Sequence, residues 1–327
     1  MASFPRILVI FSFLACLGVS AQQDKYSCPP CASDCHNVDF LEPRNCPICN
    51  MPLIKVEHSQ FEGYVKEEIQ IPNDTILLNA AYYTPKNKSK IKGAMIVVHG
   101  SAPSRYEDVS FYTKIGTELG MAVLAYDKRG VGKSGGNYQF FSVEESENWF
   151  NLLASDVLAC LLWLKHRPEL QKTKIGLIGG SQAGWIMPLA ASKNKYIDFI
   201  IIGEGVAISA GEEQYFSQLT GDGDEGANNM SIAEAHLKLQ NFRGDRGFDP
   251  RNILKELNVK TLWFLGTQDP VIPVDATRKA LQVMNNPNFQ VQILENGDHD
   301  FINTQSGKPY DLLKFIRPWL FHNGILK

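Results

Sequence analysis

The sequence predicts an α/β fold in which a mostly parallel sheet of the eight-stranded type carries helices on both faces. Three observations predict it. Short, continuous apolar runs recur along most of the chain, helical patterns separate them, and turns bearing Gly, Ser, Asp and His directly follow several of the runs. An apolar run without alternation suits a strand covered on both faces, and successive runs joined by helices must pair in parallel. In such sheets, chemistry gathers at the carboxyl ends of the strands, where the loops meet.

The first segment reads as an address. Arg6 precedes an apolar run over residues 7–17, and Val19-Ser20-Ala21 leads into polar Gln22-Gln23-Asp24. One positive charge, a short apolar core and a small-x-small site describe a secretory signal peptide over residues 1–21. Its run is shorter than the ~20 residues a membrane span needs. The mature chain is therefore expected to be secreted or periplasmic, with no membrane span. Lipid attachment at Cys16 is an alternative, although Phe13 stands where a lipobox usually carries Leu.

Residues 22–58 hold five of the seven cysteines. Cys28-Pro29-Pro30-Cys31 and Cys46-Pro47-Ile48-Cys49 are two C-x-x-C knuckles, and Cys35-His36 lies between them. Paired knuckles suit tetrahedral zinc, because each presents two thiolates from one tight turn. Cys28, Cys31, Cys46 and Cys49 are the candidate ligands of a structural zinc, with Cys35 and His36 in reserve. Disulfides are the competing arrangement, since an exported chain meets oxidising conditions. Four thiolates would leave zinc no open position, so this zinc-ribbon-like module reads as structural or docking, not catalytic. Tyr26, Cys28, Pro29, Cys46, Pro47, Ile48, Cys49, Met51, Pro52 and Leu53 make the segment resemble a small heavy-metal-binding module. Cys31 and Asn50 depart from that pattern.

From residue 59 to 327 the pattern is that of one large domain. Strands are expected at 65–72 and 75–85, joined by the turn pair Asn73-Asp74, then at 94–98, 121–126, 175–178, 199–202, 261–265 and 289–294. Trp149, Leu152, Leu153, Val157, Cys160, Leu161 and Leu164 recur at helical spacing, which places the Cys160 thiol in the core. Residues 206–256 are too long for a plain connection between strands, and 231–242 look helical. Asp222 and its acidic neighbours fall short of a calcium-loop pattern.

Four motifs fall at strand ends. Ile178-Gly179-Gly180-Ser181-Gln182-Ala183-Gly184 follows a strand and opens a helix, the context of a nucleophile elbow, in which small neighbours let strand and helix approach closely. Val98-His99-Gly100-Ser101 follows another strand. Its Ser101 N–H, with that of Gln182, is positioned to form an oxyanion hole, whereas His99 is expected to brace the loop. Gly266-Thr267-Gln268-Asp269 and Gly297-Asp298-His299-Asp300 end two later strands. A serine hydroxyl attacks only when a base takes its proton, and imidazole held by a carboxylate does this near neutral pH. The order Ser181, Asp269, His299 then gives nucleophile, acid and base.

These motifs, with Asp127-Lys128-Arg129-Gly130-Val131-Gly132-Lys133-Ser134-Gly135, resemble the α/β-hydrolase family in its serine aminopeptidase, prolyl-oligopeptidase and esterase-like members. The resemblance implies the α/β-hydrolase fold, a lid over the acyl pocket from residues 206–256, and a structural pair between Asp127 and Arg129. It implies no catalytic cofactor. The expected activity is hydrolysis of a carboxylic ester or thioester through an acyl-serine. A peptidase is the near rival, and a metal-binding or docking protein with an inert hydrolase body is the rival from another class. Small-molecule esters, thioesters or short peptides are the expected substrates. A net charge of −3 gives no reason to expect nucleic acid.

Overall fold

The computed structural model describes residues 25–27, 39–47, 53–56, 61, 63–223 and 229–326. The signal-peptide segment, Cys28, Cys31, Cys35, His36 and Cys49 lie outside the described residues. Two compact units divide the chain, Met1–Glu57 and His58–Lys327. In the first, β1 (Lys25–Ser27) pairs antiparallel with both β2 (Asp39–Phe40) and β3 (Ile54–Val56). Cys46 is buried there. Among the described residues no cluster of His, Cys, Asp or Glu could hold a metal ion, and no helix is long and apolar enough to cross a membrane.

The second unit is built on an eight-stranded sheet. Its strands are β4 (Tyr64–Asn73), β5 (Ile76–Pro85), β6 (Ala94–Val98), β7 (Ala122–Tyr126), β8 (Ile175–Ser181), β9 (Phe199–Gly205), β10 (Lys260–Gly266) and β11 (Phe289–Leu294). Their order is β11-β10-β9-β8-β6-β7-β5-β4. The β4–β5 hairpin and the β5–β7 pair are antiparallel, and the other neighbours run parallel. The eight predicted strands are all present, with β8 and β9 running three residues past their predicted ends.

Side-chain alternation divides the core between the two faces of the sheet. Ile96, Leu177, Ile202 and Trp263 pack on one face, which α2 (Ser146–Lys165), α3 (Ala183–Lys193) and α7 (Val274–Met284) cover. Val97, Ile178, Ile201 and Phe264 pack on the other, against α1 (Ser110–Glu118) and α8 (Leu313–His322). Central strands buried on both faces explain the unbroken apolar runs in the sequence. Cys160 sits on the buried stripe of α2, and burial pushes its thiol well above the ordinary range, so it is core rather than reactive.

Between β9 and β10 lie α4 (Ala210–Thr220), α5 (Ile232–Leu239) and α6 (Arg251–Glu256). Ser209 with Glu212, and Ser231 with Glu234, form capping boxes that start α4 and α5. A short hairpin of β12 (Ile302–Asn303) and β13 (Lys308–Pro309) leads into α8.

Candidate active site

Ser181 ends β8 with φ at +55°, a left-handed value rare for a non-glycine residue. The sheet register slips between Gly180 and Ser181, so Ser181 pairs with Gly205. A Cβ on Gly179 would collide with the Val98 carbonyl, and one on Gly180 with the Tyr112 hydroxyl. Only glycine fits at these positions, and α3 begins two residues after the serine. The sharp strand-to-helix turn read from the sequence is therefore present.

Asp269 and His299 meet although 30 residues separate them. The imidazole Nδ1 lies 2.8 Å from Asp269 Oδ2, while Asp269 Oδ1 accepts the N–H groups of Val271 and Ile272 at 2.7 and 2.9 Å. The Asp269 side chain is fully buried; that of His299 is 28% exposed. Burial pulls the imidazole pKa down, but the hydrogen bond and charge of Asp269 outweigh it, and the net shift is upward. Ser181 and His299 open onto one cavity of about 280 Å³, with no hydrogen bond between them. Such contacts are often long before substrate binds and tighten in the complex.

A second cavity, of about 320 Å³, opens on the other side of Ser181, and Ser101 and Gln182 line it too. Neither their N–H groups nor the Ser181 hydroxyl has a hydrogen-bond partner among the described residues. The far wall of this cavity comes from α4 and the turn after it, with Glu213, Gln214, Gln218 and Asp222. Burial, with the charges of Asp222 and Asp269, pushes the Glu213 carboxyl up to about 8.

His99 stands apart from the couple. It is buried, its Nε2 is 2.5 Å from the Tyr126 carbonyl, and burial lowers its pKa to about 4. It braces the loop after β6, as expected. The other loop expectation needs correction: Asp127 and Arg129 do not pair. Arg129 binds Asp156 on α2 through two hydrogen bonds of 2.5 and 3.1 Å, which pairs a fully buried carboxylate with a cation. Asp127 is instead satisfied by neutral donors, Asn79 Nδ2 and the N–H groups of Tyr106 and Lys133.

Two residues near the serine escaped the sequence reading. Lys128 is 1% exposed, and its ammonium donates to the carbonyls of Gly100 and Ser101 at 2.7 and 2.9 Å and to Gln182 Oε1 at 3.2 Å. It thus ties both proposed oxyanion donors' residues together. Glu204, 1% exposed near the end of β9, lines the His299 cavity. A charged residue between Gly203 and Gly205 at the end of an apolar run was the available signal.

The fold is shared with solved structures of low sequence identity. The esterase Pf2001 of Pyrococcus furiosus superposes with a TM-score of 0.58 at 18% identity, covering 79% of this chain and 90% of that one. Est1E of Butyrivibrio proteoclasticus, solved with ferulic acid, gives 0.54 at 19%, covering 78% and 97%. A dienelactone hydrolase of Anabaena variabilis gives 0.53 at 18%, covering 80% and 99%. These likenesses establish the α/β-hydrolase fold. No curated protein matches the chain significantly. Residues 107–323, about two thirds of the sequence, match the prolyl oligopeptidase family, and the chain belongs to that family of hydrolases.

Proposed function

We propose that the chain is a serine hydrolase working through an acyl-Ser181 intermediate, with His299 as general base and Asp269 as the acid that orients it. One observation carries the reading: the hydrogen-bonded Asp269–His299 couple opens onto the same cavity as a serine held at positive φ on a strand-to-helix turn. His299 Nε2 takes the hydroxyl proton as Ser181 Oγ attacks the substrate carbonyl carbon. The carbonyl oxygen becomes an oxyanion facing the N–H groups of Ser101 and Gln182. His299 then passes the proton to the leaving group, and water attacks the acyl-serine to release the acid.

A carboxylic ester or thioester is the leading substrate class, and residues 206–256 act as the lid that shapes the acyl pocket. A second reading has its own support. A peptidase acting on free amino termini needs acidic groups near the acyl side, and Glu213 and Asp222 stand on the wall of the cavity that Ser101, Ser181 and Gln182 line. The N-terminal pattern supports export after removal of residues 1–21, and a module over residues 22–58 in which Cys28, Cys31, Cys46 and Cys49 hold a structural zinc or form disulfides. Zinc analysis with thiol counting on the mature protein separates those two.

Chromogenic acyl esters and aminoacyl amides, offered to wild type and to Ser181→Ala, test the enzyme reading. Wild type is expected to turn over at least one class, and Ser181→Ala to lose on the order of 10⁵- to 10⁶-fold in kcat. A folded wild type that cleaves none of them would support the inert docking body instead.

A further inference from the structure

Glu204 stands where β9 leaves the sheet beside the candidate nucleophile. Its φ is +42°, a strained value that persists only when the surroundings impose it. Oε2 accepts the Gly266 N–H at 2.9 Å, and the Gly266 carbonyl accepts the Asp269 N–H at 3.2 Å, so one residue holds Glu204 and Asp269 together and their carboxyl groups interact. Oε1 has no hydrogen-bond partner. Gly266 leaves room for this carboxyl, since a Cβ there would come within 2.9 Å of Oε1.

The titratable groups facing Glu204 are Asp269 in the loop after β10, Asp298, His299 and Asp300 in the loop after β11, and the Tyr112 phenol on α1. Lys and Arg are absent from this set. A second carboxylate buried against Asp269 would have only the His299 imidazole to offset it, already committed to Asp269 and neutral when it acts as a base, and adjoining carboxyl groups resolve this by keeping one proton. Asp269 accepts three N–H donors, from His299, Val271 and Ile272, whereas Glu204 accepts one. The charge belongs on Asp269 and the proton on Glu204. Burial first, and the charge of Asp269 second, push the Glu204 carboxyl well above the ordinary range, in agreement with that placement.

We propose that Glu204 is a positioning residue, a neutral carboxylic acid that donates its O–H to Asp269 and completes a Glu204–Asp269–His299 chain behind Ser181. The proposal rests on the triad reading above. The donated hydrogen bond fixes the carboxylate that holds His299 and tempers its charge. Without that donor, Asp269 would stabilise the imidazolium more strongly, and the base would stay protonated, and idle, to higher pH.

Glu204→Gln keeps a neutral donor of the same shape, and Glu204→Leu keeps the volume without a donor. The expected result is that E204Q retains kcat within about threefold and keeps the acidic limb of its pH profile. E204L is expected to lose about 10- to 100-fold, the worth of one hydrogen bond to a charged group, with its acidic limb displaced to higher pH. Infrared difference spectra of wild type against E204Q at neutral pH should show the C=O band of a protonated carboxyl group lost on substitution. The Glu213 contribution is common to both and cancels. If neither variant folds, the spectrum of Glu213→Gln replaces the comparison, and a protonated-carboxyl band is still expected there. Equal activity and equal acidic limbs in E204Q and E204L would reduce Glu204 to a space-filler and overturn the proposal, as would the absence of the infrared band. A band lost in E204Q, in a protein whose wild type fluorophosphonate does not label, supports the proton on Glu204 and counts against the hydrolase reading alone.

Discussion

His299 Nδ1 lies 2.8 Å from Asp269 Oδ2, and this contact governs both the direction and the protonation of the imidazole. The base proposed at His299 would work only when neutral, so kcat/KM is expected to fall as pH drops through a His299 pKa above its ordinary value. Asp269→Asn removes the charge that raises it. The acidic limb should then move to lower pH, while kcat falls by roughly 10³- to 10⁴-fold because the imidazole loses its orientation. A pH profile of both proteins on one ester checks the two effects together.

Lys128 offers a test of the oxyanion loop. Its ammonium binds the carbonyls of Gly100 and Ser101, and Lys128→Met leaves them without that donor. The expected outcome is a fall in kcat of about 10- to 100-fold with KM little changed, since in the proposed mechanism the loop stabilises charge that develops during reaction. Burial brings Lys128 down to about 7. Deprotonation above that pH weakens its grip, so wild type should lose kcat on the alkaline side and the Met variant should not.

Glu213 bears on substrate choice. With its pKa at about 8, its carboxylate predominates only above that pH. A permanently cationic acyl group, such as trimethylammonioacetyl, should gain in kcat/KM over acetyl as pH rises through about 8. Glu213→Gln should erase the gain, worth roughly tenfold or more for one desolvated charge contact. Competition between the two esters with a common leaving group measures it.

Asp156 and Arg129 make a stability prediction. Asp156 is fully buried, and Asn73 Nδ2 joins Arg129 in binding it, at 2.7 Å. Arg129→Met leaves that carboxylate without its cation and should cost about 3–5 kcal/mol in denaturant unfolding. Asp156→Asn should cost less, because no charge remains buried at the acceptor.

The sheet was legible because its strands are buried on both faces, which leaves the runs around Ile96, Leu177 and Ile201 unbroken. The elbow was legible because close strand–helix packing admits only small residues at Gly179, Gly180 and Gly184. Side chains outside these motifs, whose roles depend on distant partners, were not. Arg129 finds Asp156 across 27 positions, and Lys128 acquires a role only where the fold brings its ammonium to the carbonyls of Gly100 and Ser101. Glu204 was hidden because the apolar run stops at Ile202, two residues short of the carboxylate that the strand carries into the site. The helix α4, started by Ser209 and Glu212, was not read from the sequence, and its cavity-facing residues acquire meaning only once Ser181 is placed beside them.

The central claim, that His299 activates Ser181, is tested most directly by the mass of the protein after fluorophosphonate treatment. One adduct per chain is predicted, mapping to the peptide that contains Ser181, with labelling at least about 10³-fold slower in His299→Ala. An adduct on another residue, or labelling of Ser181 that proceeds equally fast without the imidazole, would contradict it.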